Sequence, residues 1–552
     1  MIEISNIRVP LRKLDGDERH ELACVRDAAL RKIHLTAGDI ASFELRKRSI
    51  DARKKNDIML TYTLRLELTG HANAERQLLQ KLERTHGARG VRHVDEKPYC
   101  LPPAVGAAPK QRPVVVGAGC AGLFCALALA EAGLAPLLVE RGDDATRRTA
   151  AVRQLNETGE LDVESNIQFG LGGAGTFSDG KLATGTKSAA HRMILEALVA
   201  AGAARNILWD AKPHVGSDVL PRVVENIVKR IEEAGGEVRC RTRMTGLDVT
   251  GGAVRSVTLE SRDMSSGIVR EERVATSQVV LACGHSARDV FELLRTLGVT
   301  LERKTFAMGV RIEHLQTDID RAQYGPSAGH PALGAAPYKL AQHLEDGRGA
   351  FSFCMCPGGY VVAAASEQGG VVTNGMSLSD RAGENANSGL LANVFPEDLP
   401  GDDVLAGVEL QRQCEQAAFA AGEGAFVAPA QLVGDFLQGR TSSGPGRVQP
   451  TYPRGVRWGS VESCLPTYVT ESLRTAIPRM ERQLKGFSSA DAVLTGVESR
   501  SSSPVRVTRD EAGQALGIRG LFPCGEGAGY AGGIMSAATD GLRAASWLID
   551  SL

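Results

Sequence analysis

The segment "GTFSDGKL" (Gly175–Leu182) places a hydroxyl, a carboxylate and an amine within four residues, at Ser178, Asp179 and Lys181. An acid beside an amine can relay a proton while the amine stabilises developing negative charge. The same loop can equally wrap a pyrophosphate, with Lys181 neutralising phosphate charge. A second candidate is "FCMCPGG", where Cys354 and Cys356 stand two apart. On a strand both would face one side, as a thiol–disulfide relay requires. The surrounding Phe, Met and Val favour buried packing thiols instead. His285 in "CGHSARD" and His314 in "GVRIEH" carry the side chain that titrates near neutrality, but each reads more readily as an ordinary structural histidine. Arg311 and Arg500 have the fork that clamps a carboxylate, although nothing separates them from the other arginines.

Such groups need a scaffold, and "RPVVVGAGCAGLFCALALAEAGLAPLLVERG" (Arg112–Gly142) reads as strand, turn, helix and strand. Gly117, Gly119 and Gly122 have the G-x-G-x-x-G spacing. The first allows a tight turn, the second a close approach of backbone to a pyrophosphate, and the third close helix–strand packing. The helix start at Cys120 and Ala121 offers unpaired N–H groups to phosphate. Glu140 lies eighteen residues beyond Gly122, where a carboxylate can accept from ribose hydroxyls, and Arg141 follows it. This context predicts a bound dinucleotide. Residues 166–188 form a long glycine-rich loop with few apolar side chains, of a kind uncommon unless functional. Its Gly172 and Gly173, with Gly284 at the end of the strand "QVVLACG", are further candidates for cofactor contact.

The expected segmentation is an N-terminal α+β module (1–95), a Pro/Ala-rich linker (96–111), a dinucleotide domain (112–294), a mixed α+β substrate domain (295–510) and a return to the dinucleotide domain (511–552). "DVLPRVVENIVKRIEEAGG" predicts an amphipathic helix. "EVRCRTRMTGLDV", "AVRSVTLES" and "IVREERVATS" predict a three-stranded antiparallel meander. The fold class is α/β, α+β over the whole chain: a discontinuous Rossmann-like domain with a meander, an inserted mixed domain and a small N-terminal module. A net charge of −1 gives no global attraction to nucleic acid or acidic membranes. No apolar run approaches membrane-spanning length, and the first residues lack a secretory pattern. Eleven cysteines without a disulfide framework or CxxC spacing predict reduced thiols, no metal site and a cytoplasmic protein.

The order of these elements resembles the glutathione-reductase-type FAD-binding fold, and within it a bacterial family of FAD-dependent dehydrogenases or oxidoreductases. The resemblance covers nearly the whole chain and rests on "FGLGGAGTFSDGKL", "FSFCMCPGGYVVAAASEQGGVVTNGMS" and "GLFPCGEGAGYAGGIMSAATDGLRAA". It implies that Gly117, Gly119, Gly122 and Glu140 hold the ADP half of FAD. Gly525, Glu526, Gly532, Gly533 and Ile534 would then serve the ribityl and isoalloxazine end. Many flavoproteins of this type carry Asp where this chain has Glu526. A second glycine turn heading a helix independently favours FAD over NAD. Beside a flavin, Lys181 would stabilise the reduced anionic ring. No second G-x-G-x-x-G within a βαβ unit is present. The electron donor is therefore either a visiting NAD(P)H or the small-molecule substrate itself. A rival reading starts from "ELRKRSIDARKK", with six basic residues between Arg46 and Lys55: an RNA-binding or RNA-modifying flavoprotein. The stretch lacks interleaved aromatics, so a solvated charged face is the commoner explanation.

Overall fold

The apolar triplet Val114–Val116 lies at the centre of a five-stranded parallel sheet in the computed structural model. The sheet runs in the order Leu521–Pro523, Val279–Leu281, Val114–Val116, Leu137–Val139 and Glu237–Arg239. The structure describes residues 1–70, 73–84, 89–95, 97–103, 111–264 and 266–552. Residues 96 and 104–110 of the expected linker lie outside the described residues.

Side-chain alternation sends the two faces of these strands into separate cores. Val115, Leu138, Val280 and Phe522 pack under the helices Cys120–Glu131, Leu220–Glu233 and Ile534–Asp550. Val114, Val116, Leu137 and Leu281 pack against the antiparallel sheet Thr242–Thr250, Ala253–Arg262 and Val269–Ala275, and against the helix Arg288–Thr296. Helix Cys120–Glu131 is apolar all round because it is buried all round. Gly541 lets the last helix ride against it, since a Cβ there would sit 2.0 Å from the carbonyl oxygen of Ala121.

The run "EVRCRTRMTGLDV" is not one strand. It divides at Cys240–Arg241: Glu237–Arg239 completes the parallel sheet, and Thr242–Thr250 opens the meander. The hinge is Arg241, held at φ +50°. Its guanidinium is drawn to Asp143 and Asp162, which lie 98 and 79 positions away in sequence.

Between Val279–Leu281 and Leu521–Pro523 the chain builds a seven-stranded sheet around the neighbours Phe306–Leu315 and Asn385–Val394. The N-terminal strands Ile2–Pro10, Ile40–Asp51, Met59–Leu68 and Val91–His93 form a separate four-stranded antiparallel sheet. It is covered by helix Glu18–Ile33, which Asp17 caps by accepting from His20 N at 2.8 Å. One contiguous apolar cluster joins this sheet (Ile4, Leu64) to the seven-stranded one (Met308, Leu390).

Candidate functional site

A cavity of about 610 Å³ lies between the carboxyl ends of the parallel strands and the seven-stranded sheet. Gly117, Gly119, Cys120 and Ala121 line one end of it. The three fingerprint glycines do different work. Gly117, at φ +98°, would place a Cβ 2.5 Å from Ala282 O, and Gly122 would place one 1.8 Å from Gly117 O. Both are needed for backbone to pass backbone. At Gly119 the nearest atom to a Cβ is Gly173 Cα at 3.8 Å, so the room there belongs to the cavity. Helix Cys120–Glu131 starts on Gly119 with no side-chain cap, leaving its first N–H groups available to an anion.

Glu140 is buried, and its carboxylate is already engaged. Oε2 accepts from Ala118 N at 2.9 Å, while Oε1 accepts from Gly142 N at 3.0 Å and Gly170 N at 2.9 Å. A carboxylate has about four lone-pair sites, so one remains for a ribose hydroxyl. Glu140 thus ties the fingerprint turn to the start of the glycine-rich loop. Arg141 is anchored by Glu164 at 2.8 Å and Asp289 at 2.9 Å, with its guanidinium 4.3 Å from the Phe169 ring centre.

The loop itself is organised by a residue that sequence reasoning missed. Arg148 is fully buried on helix Ala145–Thr158 and touches no carboxylate. Its guanidinium donates to the carbonyls of Asn166, Ile167, Gly170, Leu171 and Gly173 at 2.8–3.2 Å. Burial pushes its pKa down to about 10, with Glu140 pulling the other way. Wrapped on this post, Gly172 and Gly173 adopt φ of +91° and +66° and lie against Gly119, with Gly172 N donating to Ala118 O at 2.8 Å. Carbonyl partners leave no trace in a sequence, which is why Arg148 gave no signal.

The terminal turn reaches the same cavity through Glu526, Gly532, Gly533 and Ile534. Gly525 does not line it; its N–H donates at 2.8 Å to Asp540, a buried acid also paired with Arg509. A Cβ on Gly284, Gly532 or Gly533 would meet nothing within 4 Å. Helix Ile534–Asp550, like its counterpart, starts on a glycine without a side-chain cap. Burial pushes Glu526 up to about 7, against the pull of Lys304 and with a further push from Cys354. Two uncapped helix starts, two open glycine turns and one cavity fit a flavin dinucleotide, whose pyrophosphate and reduced ring each carry negative charge.

The opposite wall is made of side chains. Lys181 lines the cavity and donates to Cys354 Sγ at 3.8 Å and Cys356 Sγ at 3.9 Å. Asp179 is fully buried and does not line the cavity. It accepts from Ser377 Oγ at 2.6 Å and Arg381 Nη2 at 2.6 Å, and stands 3.4 Å from Lys181. Burial opposes its ionisation, but Lys181, Arg381 and Ser377 together hold its pKa below the usual value. Buried and fully engaged by these partners, it reaches the cavity through Lys181 rather than directly. The Ser178 hydroxyl is spent within its own turn, donating to Gly175 O at 2.8 Å. Cys354 faces the cavity and Cys356 is buried behind it. The strand expected to carry both is interrupted by a bulge between Phe353 and Cys356.

His285 lies on the cavity edge, its Nε2 2.9 Å from Arg500 O, and burial pushes its pKa down to about 4. His314 sits inside the seven-stranded sheet's core, Nε2 2.8 Å from Phe487 O. Neither arginine offered as a clamp is free. Arg311 pairs with Glu498 at 2.5 Å, and Arg500 pairs with Glu415 at 2.7 Å. In the basic N-terminal stretch, Arg46, Arg48 and Arg53 are engaged by Glu44, Glu21 and Asp51. Among the described residues no cluster of metal ligands is present, and no helix is long and apolar enough to cross a membrane.

Comparison with known proteins bears on the cofactor. Residues 305–501 match the model of the family described as FAD-dependent protein, C-terminal domain-like. Residues 115–174 match an NAD(P)-binding Rossmann-like domain, and residues 1–67 match a domain of unknown function. A protein of Clostridium beijerinckii with the name "Uncharacterized protein" is 41% identical over 100% of this chain and 98% of its own length. Among solved structures, the chain is similar to the FAD-complexed glycerol-3-phosphate dehydrogenase of Bacillus halodurans (12% identity, TM-score 0.34), covering 80% of this chain and 65% of that one, just under two thirds of the enzyme's length. L-amino acid deaminase from Proteus vulgaris gives 14% identity and a TM-score of 0.31 over 81% of this chain and 96% of that one. Likenesses this distant carry no argument about activity. The domain matches and the site together identify an FAD-dependent oxidoreductase with an α/β fold.

Proposed function

The chain belongs to the same family as the clostridial protein, and we propose that it holds FAD as glutathione-reductase-type flavoproteins do, passing hydride or electrons between that flavin and a small anionic substrate. The observation that carries this reading is the single cavity shared by both glycine turns and by the inserted sheet. The amides at Gly119–Ala121 would receive the pyrophosphate, Glu140 a ribose hydroxyl and Glu526 a ribityl hydroxyl. FAD supplies the two-electron chemistry when bound. The protein's part is to orient it, exclude water and hold charge. Helix Ile534–Asp550 points its positive end at the flavin end of the cavity, worth about 0.3–1 kcal/mol to a negative charge there, and about 2 if partly buried.

Positive charge gathers on the substrate side: Lys181, Lys212, Lys339 and Arg381 all line the cavity. Burial, then repulsion from Arg381, Lys181 and Lys339, lowers the pKa of Lys212. A carboxylate or phosphate on the substrate would relieve that repulsion. The electron donor is this substrate or a visiting NAD(P)H, which would bind without a Rossmann module of its own.

The test is direct. Purified protein should be yellow and release FAD, not FMN, on denaturation. Anaerobic stopped-flow bleaching with NADH, NADPH and a panel of hydroxyl, amine and thiol donors, each with and without a carboxylate, should favour the anionic members. A colourless protein that FAD cannot reconstitute would overturn the reading.

A further inference from the structure

Cys354 is the residue on the cavity's side-chain wall that packing alone does not explain. It is a non-glycine residue at φ +41°, in the middle of an otherwise extended strand. Such a conformation costs energy unless the surroundings enforce it. Here Arg311 Nη1 donates to the Cys354 carbonyl at 3.0 Å, and the bulge leaves the residue unpaired with the neighbouring strand. The consequence is that Cys354 leaves the straight strand path and both thiols gather around one amine. In a regular strand, residues two apart lie about 6.6–6.8 Å Cα to Cα, at the outer edge of the disulfide range. A kink between them shortens that span.

The charge around the pair is one-sided. Lys181 contacts both sulfurs, and the fully buried Arg311 lies behind them. The Cys356 thiol has one proton and two acceptors, Cys354 O at 3.2 Å and the Cys354 sulfur. A thiolate is the stronger acceptor. That hydrogen bond first, then Lys181 and Arg311, draws the Cys354 pKa well below the usual thiol value against the opposition of burial. Burial, then donation to Cys354, pushes Cys356 well above it. The two thiols are therefore unlike: Cys354 faces the cavity with its pKa drawn down, and Cys356 lies buried with its pKa pushed up. Glu526, on the terminal turn, lies close enough to feel the charge of Cys354.

We propose that Cys354 and Cys356 form a redox-active dithiol that exchanges an electron pair with the flavin, a reading that rests on FAD occupying this cavity. An S–S bond forms between the Cys354 thiolate and the Cys356 sulfur as the Cys356 S–H bond breaks. Two electrons and that proton pass to oxidised FAD. A small thiol compound restores the dithiol by exchange and leaves as its own disulfide. Lys181 is the positioning residue: it keeps Cys354 ionised and takes no part in the bond changes.

The test uses holoenzyme equilibrated in buffers of reduced and oxidised dithiothreitol. Peptide mass spectrometry should show a Cys354–Cys356 disulfide, lighter by two hydrogens, appearing in one two-electron step. In the reduced protein, iodoacetamide at pH 7 should modify Cys354 faster than the exposed Cys100. Lys181→Met should move the pH profile of that reaction upward by about one unit, a roughly tenfold slowing at neutral pH, and Lys181→Arg should restore it. Anaerobic dithionite titration should consume about four electrons per flavin in the natural protein and about two in Cys354→Ser. The mass and alkylation measurements do not depend on flavin, so failure of FAD to bind is read separately, from colour. Two free thiols throughout the buffer series, or an uptake of two electrons per flavin in the natural protein, would overturn the proposal.

Discussion

The two walls of the cavity are built on opposite principles. The wall at the parallel strands is backbone: glycine turns, uncapped helix starts and carbonyls closed around Arg148. The wall at the inserted sheet is polar side chains: Lys181, Arg381 and Cys354 face the cavity, with Asp179 and Cys356 behind them. Lys181 touches both sulfurs, and Asp179 pairs with Lys181 and Arg381. A backbone wall recognises what all dinucleotides share, a pyrophosphate and ribose. A side-chain wall can be retuned residue by residue, so it is where the identity of a substrate would be written. The mutations that test this contrast should separate loss of fold, loss of cofactor and loss of chemistry.

The largest effect should come from glycines of the backbone wall, and two neighbours should fail differently. Gly122→Ala would drive a methyl to 1.8 Å from Gly117 O, with only backbone to yield, and should cost about 3 kcal/mol or more in urea unfolding. Gly119→Val has space, and should leave the folded state's far-ultraviolet spectrum and unfolding midpoint nearly intact without flavin. It should nevertheless abolish FAD retention, because its side chain occupies the pyrophosphate's room. If both variants unfold, or both retain FAD, the backbone wall has been misdescribed.

Next comes Arg148→Met. Removing the guanidinium takes a donor from five loop carbonyls. Gly170, Leu171 and Gly173 keep a bond from Gly173 N, Thr176 Oγ1 and Thr176 N, but the carbonyls of Asn166 and Ile167 are left without a partner among the described residues in a buried site. Each orphaned buried acceptor costs about 1–3 kcal/mol, but the loop can relax, so about 3 kcal/mol is expected in all. Limited proteolysis should newly cut between residues 166 and 188. A stable, uncut variant would mean that the glycine loop holds its own shape.

How much of this was legible follows the same division. The helix Glu18–Ile33 and the fingerprint unit could be read because their signals are local: a capping Asp17, apolar spacing, glycines at fixed offsets. Arg148 was not legible, since in "ATRRTAAVRQLNET" it resembles its exposed neighbour Arg147, and its partners are carbonyls. The split at Arg241 and the kink at Cys354 were hidden for a related reason. Each is imposed by a distant group, Asp143 and Asp162 in one case and Arg311 in the other. Sequence periodicity carries backbone geometry well and long-range charge pairing poorly.

A smaller effect should appear as pH dependence at the junction of the two walls. Burial raises Glu526 from an ordinary 4.5 to about 7 in the folded chain. Its contribution to stability is therefore complete below the unfolded value and is lost as pH rises through about 7. His285, held down to about 4, acts in the opposite sense on the acid side. The difference between the natural protein and Glu526→Gln isolates the carboxyl. Flavin-free protein should lose about 1–2 kcal/mol relative to the variant between pH 5 and pH 8, an amount discounted for the partial exposure of this side chain. Parallel pH profiles for the two proteins would place Glu526 in water, outside the closed site.

The smallest effect should come from the basic stretch of the N-terminal sheet, whose lysines are exposed. Its arginines are not equivalent to its lysines. Arg48 donates to Glu21 at 2.6 Å and to Ala332 O at 2.7 Å, joining the N-terminal sheet to the inserted domain, so its loss would confound any binding measurement. Lys47, Lys54 and Lys55 are exposed and provide the clean test. Changing all three to Gln should alter stability by about 0.5 kcal/mol or less, as surface substitutions do, and leave flavin reduction rates untouched. Structured RNA should bind the natural protein weakly, with a log–log salt slope shallower than about −1. Six phosphate contacts would instead give about −5, and removing three lysines would flatten that slope by about 2.7. A steep slope that flattens in this way, together with altered flavin chemistry, would move substrate recognition from the side-chain wall to the N-terminal sheet.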